Sequence, residues 1–240
     1  MDRLTRKELK TDDLALELGH AVTFFEGHQK EITRYGGIAA VAAILIAGYI
    51  VYNKHQHVER QVGLAQAIAV QEAPVGGLSN NGNLSFPSQE AKDAASTKVF
   101  TDLKNKYAGT DEGEIAQYYL ASIEADKGNM ATAEKGFLEV AQKGDKQYSS
   151  LAKLSLAQIY FDDNRTKQAE DVLKDLMAHP TVFVSKDEAT LALARYYAHA
   201  NPPEARKLLE PLRVSPVDAV RNVAISLIGE MQQSNPQQPQ

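Results

Sequence analysis

Cysteine is missing from all 240 residues of the chain, and that absence removes several chemistries at once. There is no disulfide framework, no thiolate nucleophile, no cysteine-based zinc site and no cysteine to carry a lipid anchor. A cysteine-free chain fits an oxidising compartment without requiring one. Tryptophan is also absent, which leaves ten Tyr and seven Phe to carry the aromatic packing. Positive charge is in deficit: 26 Lys and Arg stand against 31 Asp and Glu, a net charge of −5 with a pI near 5.7. No basic stripe compensates for this, so the electrostatic footprint of a nucleic-acid partner is lacking.

Convergent reactive groups are scarce as well. His55 and His57 are close enough to share a metal, but no third ligand is near them in sequence, and zinc usually takes three or four protein ligands. His20 and His28 are too far apart along a helix to share one, and His179 and His199 fall near turns with no Ser or Cys pattern. The pairs Asp12-Asp13 and Asp162-Asp163 sit at helix starts or turns, where capping and the helix dipole already favour carboxylates. Gly76-Gly77 and Gly82 lack the spacing that cradles a phosphate. The expectation is a non-enzyme with no catalytic residue, no metal and no cofactor.

Long apolar runs are limited to one. Residues 35–53 carry no charge, and 37–48 are apolar or small throughout. As a helix, about 19 residues rise about 28 Å, close to the hydrocarbon thickness of a bilayer. Arg34 and Lys54 bracket the run, and Tyr35, Tyr49 and Tyr52 fall where an interfacial aromatic belt would lie. A buried helix of a water-soluble protein is the alternative, but both flanks are strongly polar. The preceding stretch is long for a signal peptide and no small-x-small site follows, so a retained transmembrane helix is expected. Six basic residues (Arg3, Arg6, Lys7, Lys10, Lys30, Arg34) precede the run against two in the comparable stretch after it (Lys54, Arg60). That bias predicts a cytoplasmic N-terminus. Ala39, Ala43 and Ala47, with Gly36 and Ala40, form small-residue stripes that either pack against a second membrane helix, in a possible homo-oligomer, or are ordinary filler. Upstream, Leu14, Leu18, Val22 and Phe25 have helical spacing, which fits a short amphipathic helix or a solvated extension.

What the chain does have is a repeat. Ala133, Ala169 and Ala205 are spaced by 36 residues, and the residues around them recur at the same step. Leu120, Leu156 and Ala192 precede them; so do Glu124, Tyr160 and Tyr196. Phe137, Leu173 and Leu209 follow, then Val140, Leu176 and Leu212. Turn residues break each copy near its middle: Gly128-Asn129, Asp162-Asp163-Asn164 and Asn201-Pro202-Pro203. Each copy is therefore predicted to be two antiparallel helices, the recurring Ala marking a tight crossing and the large apolar residues packing between copies. Helix starts are expected at Asp111 with Glu114, at Ser185 with Glu188, and at the cap-proline pairs Asn201-Pro202 and Ser215-Pro216.

The set Leu156-Ala157, Tyr160, Ala169, Leu173, Leu176 and Pro180 resembles a tetratricopeptide repeat, with residues 114–145 and 186–216 as weaker copies. The period exceeds the usual 34, and Gln117, Lys153 and Ala189 stand where a first-helix Trp is usual. Residues 58–73 and 88–107, split by an insertion at 74–87, read as a degenerate first unit, and 217–232 as a capping helix. The fold expected is all-α: a cytoplasmic tail (1–34), one transmembrane helix (35–53), a tetratricopeptide-like solenoid (54–232) and a disordered tail (233–240). This order is similar to the YfgM-like family, ancillary subunits of the bacterial Sec translocon. The resemblance implies an inner-membrane protein whose periplasmic domain binds a chaperone or a translocon component. A self-assembling structural protein and a cell-division or envelope coordinator are the alternatives. By the family's usual positions, Tyr118, Ser122, Leu154, Gln158, Thr190 and Ala194, with Phe161 and Tyr197 nearby, would line the partner-binding groove; the other reading is that several of them pack between copies. The basic clamp for a partner's C-terminal carboxylate is missing from these positions.

Overall fold

A computed structural model describes residues 29–76 and 84–234, excluding the side chains of 29–34, 36–37, 39–40, 53 and 234. The expected tail helix at 12–32 thus lies outside the described residues but for its last few backbone positions, as do Gly77, Gly82, the end of the C-terminal tail, and the side chains of Gly36, Ala39 and Ala40. The chain divides into two compact units, Met1–Glu59 and Arg60–Gln240.

In the first unit the described backbone is one helix. α1 (Gln29–Glu72) runs 44 residues without a break and continues into the second unit, so no separate helix begins at 58. Ten large side chains between Tyr35 and Tyr52 are 58–71% exposed, and Ala43 and Ala47 are exposed among them. Because 44–46 and 49–52 are consecutive, these side chains cover every face of the helix. Among the described residues no helix is long and apolar enough to cross a membrane, so over 35–53 the structure supplies an exposed apolar helix rather than a demonstrated span.

The second unit is built from α2 (Gln89–Lys106), α3 (Asp111–Asp126), α4 (Met130–Lys143), α5 (Lys146–Asp162), α6 (Thr166–Ala178), α7 (Lys186–Ala200), α8 (Pro202–Leu209), a 3-10 turn (Glu210–Val214) and α9 (Asp218–Ser234). From α2 to α8 each helix packs on the next, and α9 closes against α7 and α8. The only β pairing among the described residues is one bridge, Val75 to Phe86, across the insertion.

The repeat columns form the core. Ala133, Ala169 and Ala205 are all 0% exposed. Phe137, Leu173 and Leu209, one turn on, and Val140, Leu176 and Leu212 after them, are also buried. The intra-copy turns fall where expected, with Gly128 at φ 81° and Asn164 at φ 58°, left-handed conformations that Gly and Asn accept most readily. At the positions lacking the usual Trp, Gln117 is buried in copy one and Gly136 on α4 makes room for it. A Cβ at Gly136 would stand 2.6 Å from Gln117 Nε2 and 2.8 Å from Ala121 Cβ. In copy two, Lys153 instead bridges to Asp175 at 2.7 Å. Arg165, in the turn of copy two, binds Glu134 of copy one through both terminal guanidinium nitrogens, at 2.7 and 2.8 Å, and lies over the Tyr160 ring.

Two helix starts differ from expectation. Thr110, not Asp111, caps α3, because Thr110 is extended and its hydroxyl accepts from the Gly113 N–H, while Asp111 is already helical. α9 begins at Asp218, after a bend in which Ser215 accepts from the Val217 N–H. Asp145 caps α5 by accepting from Gln147 and Tyr148, a start the sequence pattern did not single out. Pro211 explains the short α8: without an N–H it cannot continue the α-helical ladder, and the chain tightens to a 3-10 turn.

Two glycines separate packing from propensity. Gly136→Ala should lower unfolding free energy by about 1–3 kcal/mol, because Ala121 is backbone-fixed and the clash outweighs the helix propensity of Ala. Gly229→Ala, with nothing within 4 Å, should raise it by about 1 kcal/mol; urea denaturation of both checks the signs. Hydrogen bonds from Arg165 hold the Glu134 carboxyl below its ordinary 4.5. A carboxylate depressed in the folded state adds stability present above its unfolded value and lost as pH falls through the folded one. Glu134→Gln should therefore flatten the fall of Tm below pH 4.5 relative to the unsubstituted chain.

Candidate functional site

The first helices of successive copies, α5 and α7, and the closing helix α9 leave open space between them. α5 and α7 are started by side-chain caps, Asp145 and Ser185, the latter accepting from the Glu188 N–H at 3.1 Å. Three clefts of about 590, 510 and 350 Å³ open where these helices meet. Arg195 lines all three, His199 two of them, and Gln158, Phe161 and Ala192 the two on the α5 side. Val223 of α9 closes the far wall.

Aromatic contacts fix the floor. Phe161 and Tyr196 stack with centroids 3.8 Å apart and planes within 13°, and the Tyr196 hydroxyl is 2.7 Å from Thr166 Oγ1. Burial, then a hydrogen bond to Glu170, pushes the Tyr197 phenol up to about 12. Tyr197 is therefore a neutral donor near pH 7 and ties α7 to α6. Arg195 is exposed and makes no hydrogen bond or ion pair among the described residues. Around it stand Asp162, which accepts from Gln158 Nε2 at 3.0 Å, and Glu188 and Glu230 at the cleft margins. The face thus combines apolar and aromatic walls with one free guanidinium and a few carboxylates, an arrangement suited to binding.

The structure divides the groove residues expected from the family pattern. Leu154, Gln158 and Phe161 do line the clefts. Tyr118 does not: it packs among Tyr119, Phe137 and Tyr148, with centroids 5.5–5.8 Å away. Ser122 donates its hydroxyl to the Tyr118 carbonyl. Thr190 is 7% exposed and donates to the Lys186 carbonyl. Ala194 is 0% exposed, because α9 packs Ala224, Leu227 and Ile228 into the same cluster and covers it. Tyr197 is half-buried and serves the α6–α7 contact. Ala192, Arg195, His199 and Val223 were missed. An Arg interrupting the run of apolar and aromatic residues at 191–198 was the available signal. Elsewhere, His55 pairs with Glu59 one turn on, and His179 with Asp175.

Comparison with known proteins places this arrangement. Neither the curated proteins nor the solved structures yield a match. A family model described as the tetratricopeptide repeat-like domain matches residues 24–206, from within the tail before the apolar run to the middle of α8. With paired helices, columns of buried small and large residues at one step, and a match over well more than half its length, the chain belongs to the tetratricopeptide repeat-like domain family.

Proposed function

We propose that the chain is a membrane-anchored scaffold of the bacterial envelope that holds a protein partner in the clefts around Arg195. Domains of this family act as protein–protein interaction modules. The observation that carries the reading is the unpaired Arg195 at the junction of three clefts with a stacked aromatic floor. Such a face suits an extended segment that offers apolar side chains to Leu154, Phe161 and Val223 and one carboxylate to the guanidinium.

Support for the anchor comes from α1. A helix apolar on every face, with its side chains exposed, has no place in water unless something covers it. The basic bias of the tail then puts the N-terminus in the cytoplasm and the repeat domain in the periplasm. On the resemblance to YfgM-like proteins, the partner is an envelope chaperone or a component of the Sec translocon. The second reading, self-assembly, draws on the exposed Ala43 and Ala47 of the same helix.

A photo-crosslinker at Gln158, which is exposed at the cleft, tests this in native membranes. One partner should be captured, Arg195→Glu should weaken capture roughly tenfold, about the 1.4 kcal/mol of one charge-assisted contact, and a crosslinker at the exposed Asp171 on α6 should capture nothing. Capture of a second copy of the chain from a crosslinker at Ala43 would select self-assembly, and no capture from Gln158 would reject partner binding at the clefts.

A further inference from the structure

Two of the three clefts are successive stretches of one furrow. As one gives way to the next, the lining passes from Leu154 to Asp162 on α5 and from Glu188 to His199 on α7. The two helices advance together, so the furrow runs along them. On the α7 wall Glu188, Ala192, Arg195 and His199 recur at steps of four, three and four, which is one face of a helix.

Charge is ordered along this wall. Glu188 lies in the first turn of α7, Arg195 seven residues on and His199 four further, and Asp162 lines the Arg195–His199 end from α5. All four are exposed. Asp162 accepts from the Gln158 amide at 3.0 Å, a neutral donor that leaves the carboxylate its charge. Glu230, which accepts from the Ser226 hydroxyl, lines the third cleft. Even with Glu230 set aside, two carboxylates stand against one guanidinium in the furrow.

No other charged side chain of α5, α7 or α9 lines any of the three clefts. Lys153 bonds Asp175, Arg221 bonds Asp218, and Asp187 accepts from Ser215. Lys146 and Lys186 are the first residues of α5 and α7, outside the lining. The furrow is therefore a net acidic surface with a cation in its middle.

We infer that the furrow selects a net basic, extended segment of a protein partner. That segment places a Lys or Arg opposite Glu188, an Asp or Glu three residues away opposite Arg195, and a second Lys or Arg beyond it toward Asp162. The inference rests on the reading of the clefts as a partner site and specifies what the partner presents there. A segment bringing a carboxylate alone would add negative charge to a surface already negative, which slows encounter and weakens binding. The spacing follows from the helix: seven residues put Glu188 and Arg195 about 10 Å apart along the axis. A polyproline II segment rises about 9 Å per three-residue turn and returns its side chains to the same side, so positions three apart reach both groups. A β-strand would turn such positions to opposite sides. The stacked Phe161 and Tyr196 supply the aromatic surface on which polyproline II segments pack.

The test uses the full chain with a photo-crosslinker at Gln158 in native membranes, and mass spectrometry of the crosslinked peptide reads the partner segment. That segment should be net positive, with an acidic and a basic residue three apart. Glu188→Gln and Asp162→Asn should each lower capture roughly threefold and Glu188→Lys roughly tenfold, with circular dichroism unchanged. Lys186→Gln, outside the lining, should leave capture as it was. Reversing the mapped basic residue of the partner to Glu should restore capture by Glu188→Lys, which a variant that had merely lost its fold could not show. Capture that rises or stays the same with Glu188→Gln and Asp162→Asn overturns the charge pattern and leaves a partner at the clefts. Opposite charges seven residues apart in the captured segment mark a helix and overturn the extended register. No capture from Gln158 in the otherwise unsubstituted chain overturns the cleft reading and this inference with it.

Discussion

Paired helices in this domain come together over a column of alanines, Ala133, Ala169 and Ala205, with no solvent exposure at any of them. Small side chains there let the second helix of each copy lie close to the first. The larger residues one and two turns on, Phe137, Leu173, Leu209 and then Val140, Leu176, Leu212, fill the space towards the neighbouring copies. A single copy has no partner for that face, so stability comes from stacking. Copy one carries the constraint further: Gly136 lets the buried Gln117 and Ala121 approach within the volume a Cβ would need. The Arg165–Glu134 pair then ties copy two to copy one at the turn.

The clefts are a by-product of this stacking and of how it ends. α9 closes the array on α7 and takes Ala194 into its apolar cluster. That closure turns Arg195 and His199 into the space between α5, α7 and α9, where the stacked Phe161 and Tyr196 form the floor. These clefts thus open where the repeat is interrupted. The edge formed by the inter-copy loops has a different character. Its tips are pinned by Thr181, Gln147 and Ser215 and leave valines in solvent.

Helix order, intra-copy turns and the buried columns were legible because a register shared by three copies is a stronger signal than any one segment. Ser185 was readable as a cap for a local reason: Ser185 and Glu188 have the capping-box spacing. Thr110 and Asp145 were not, since the competing acidic residues beside Thr110 and the short Gly144-Asp145 link give no unique choice without the backbone angles. The groove was half legible. Leu154, Gln158 and Phe161 follow the family pattern, but in the last copy the pattern presumes another copy beyond it, and α9 packs there instead. Thr190 and Ala194 are buried there, as in the reading that several of these residues are packed, while Arg195 carried the information in its charge.

The central claim is that the alanine column sets the geometry of the whole stack, clefts included. Hydrogen exchange on the full chain carrying Ala169→Leu tests it most directly. The account predicts faster amide exchange in both α5 and α7, the helices on either side of α6, including the turns around Phe161 and Arg195. Faster exchange confined to α6 itself, with α5 and α7 protected as before, would contradict it.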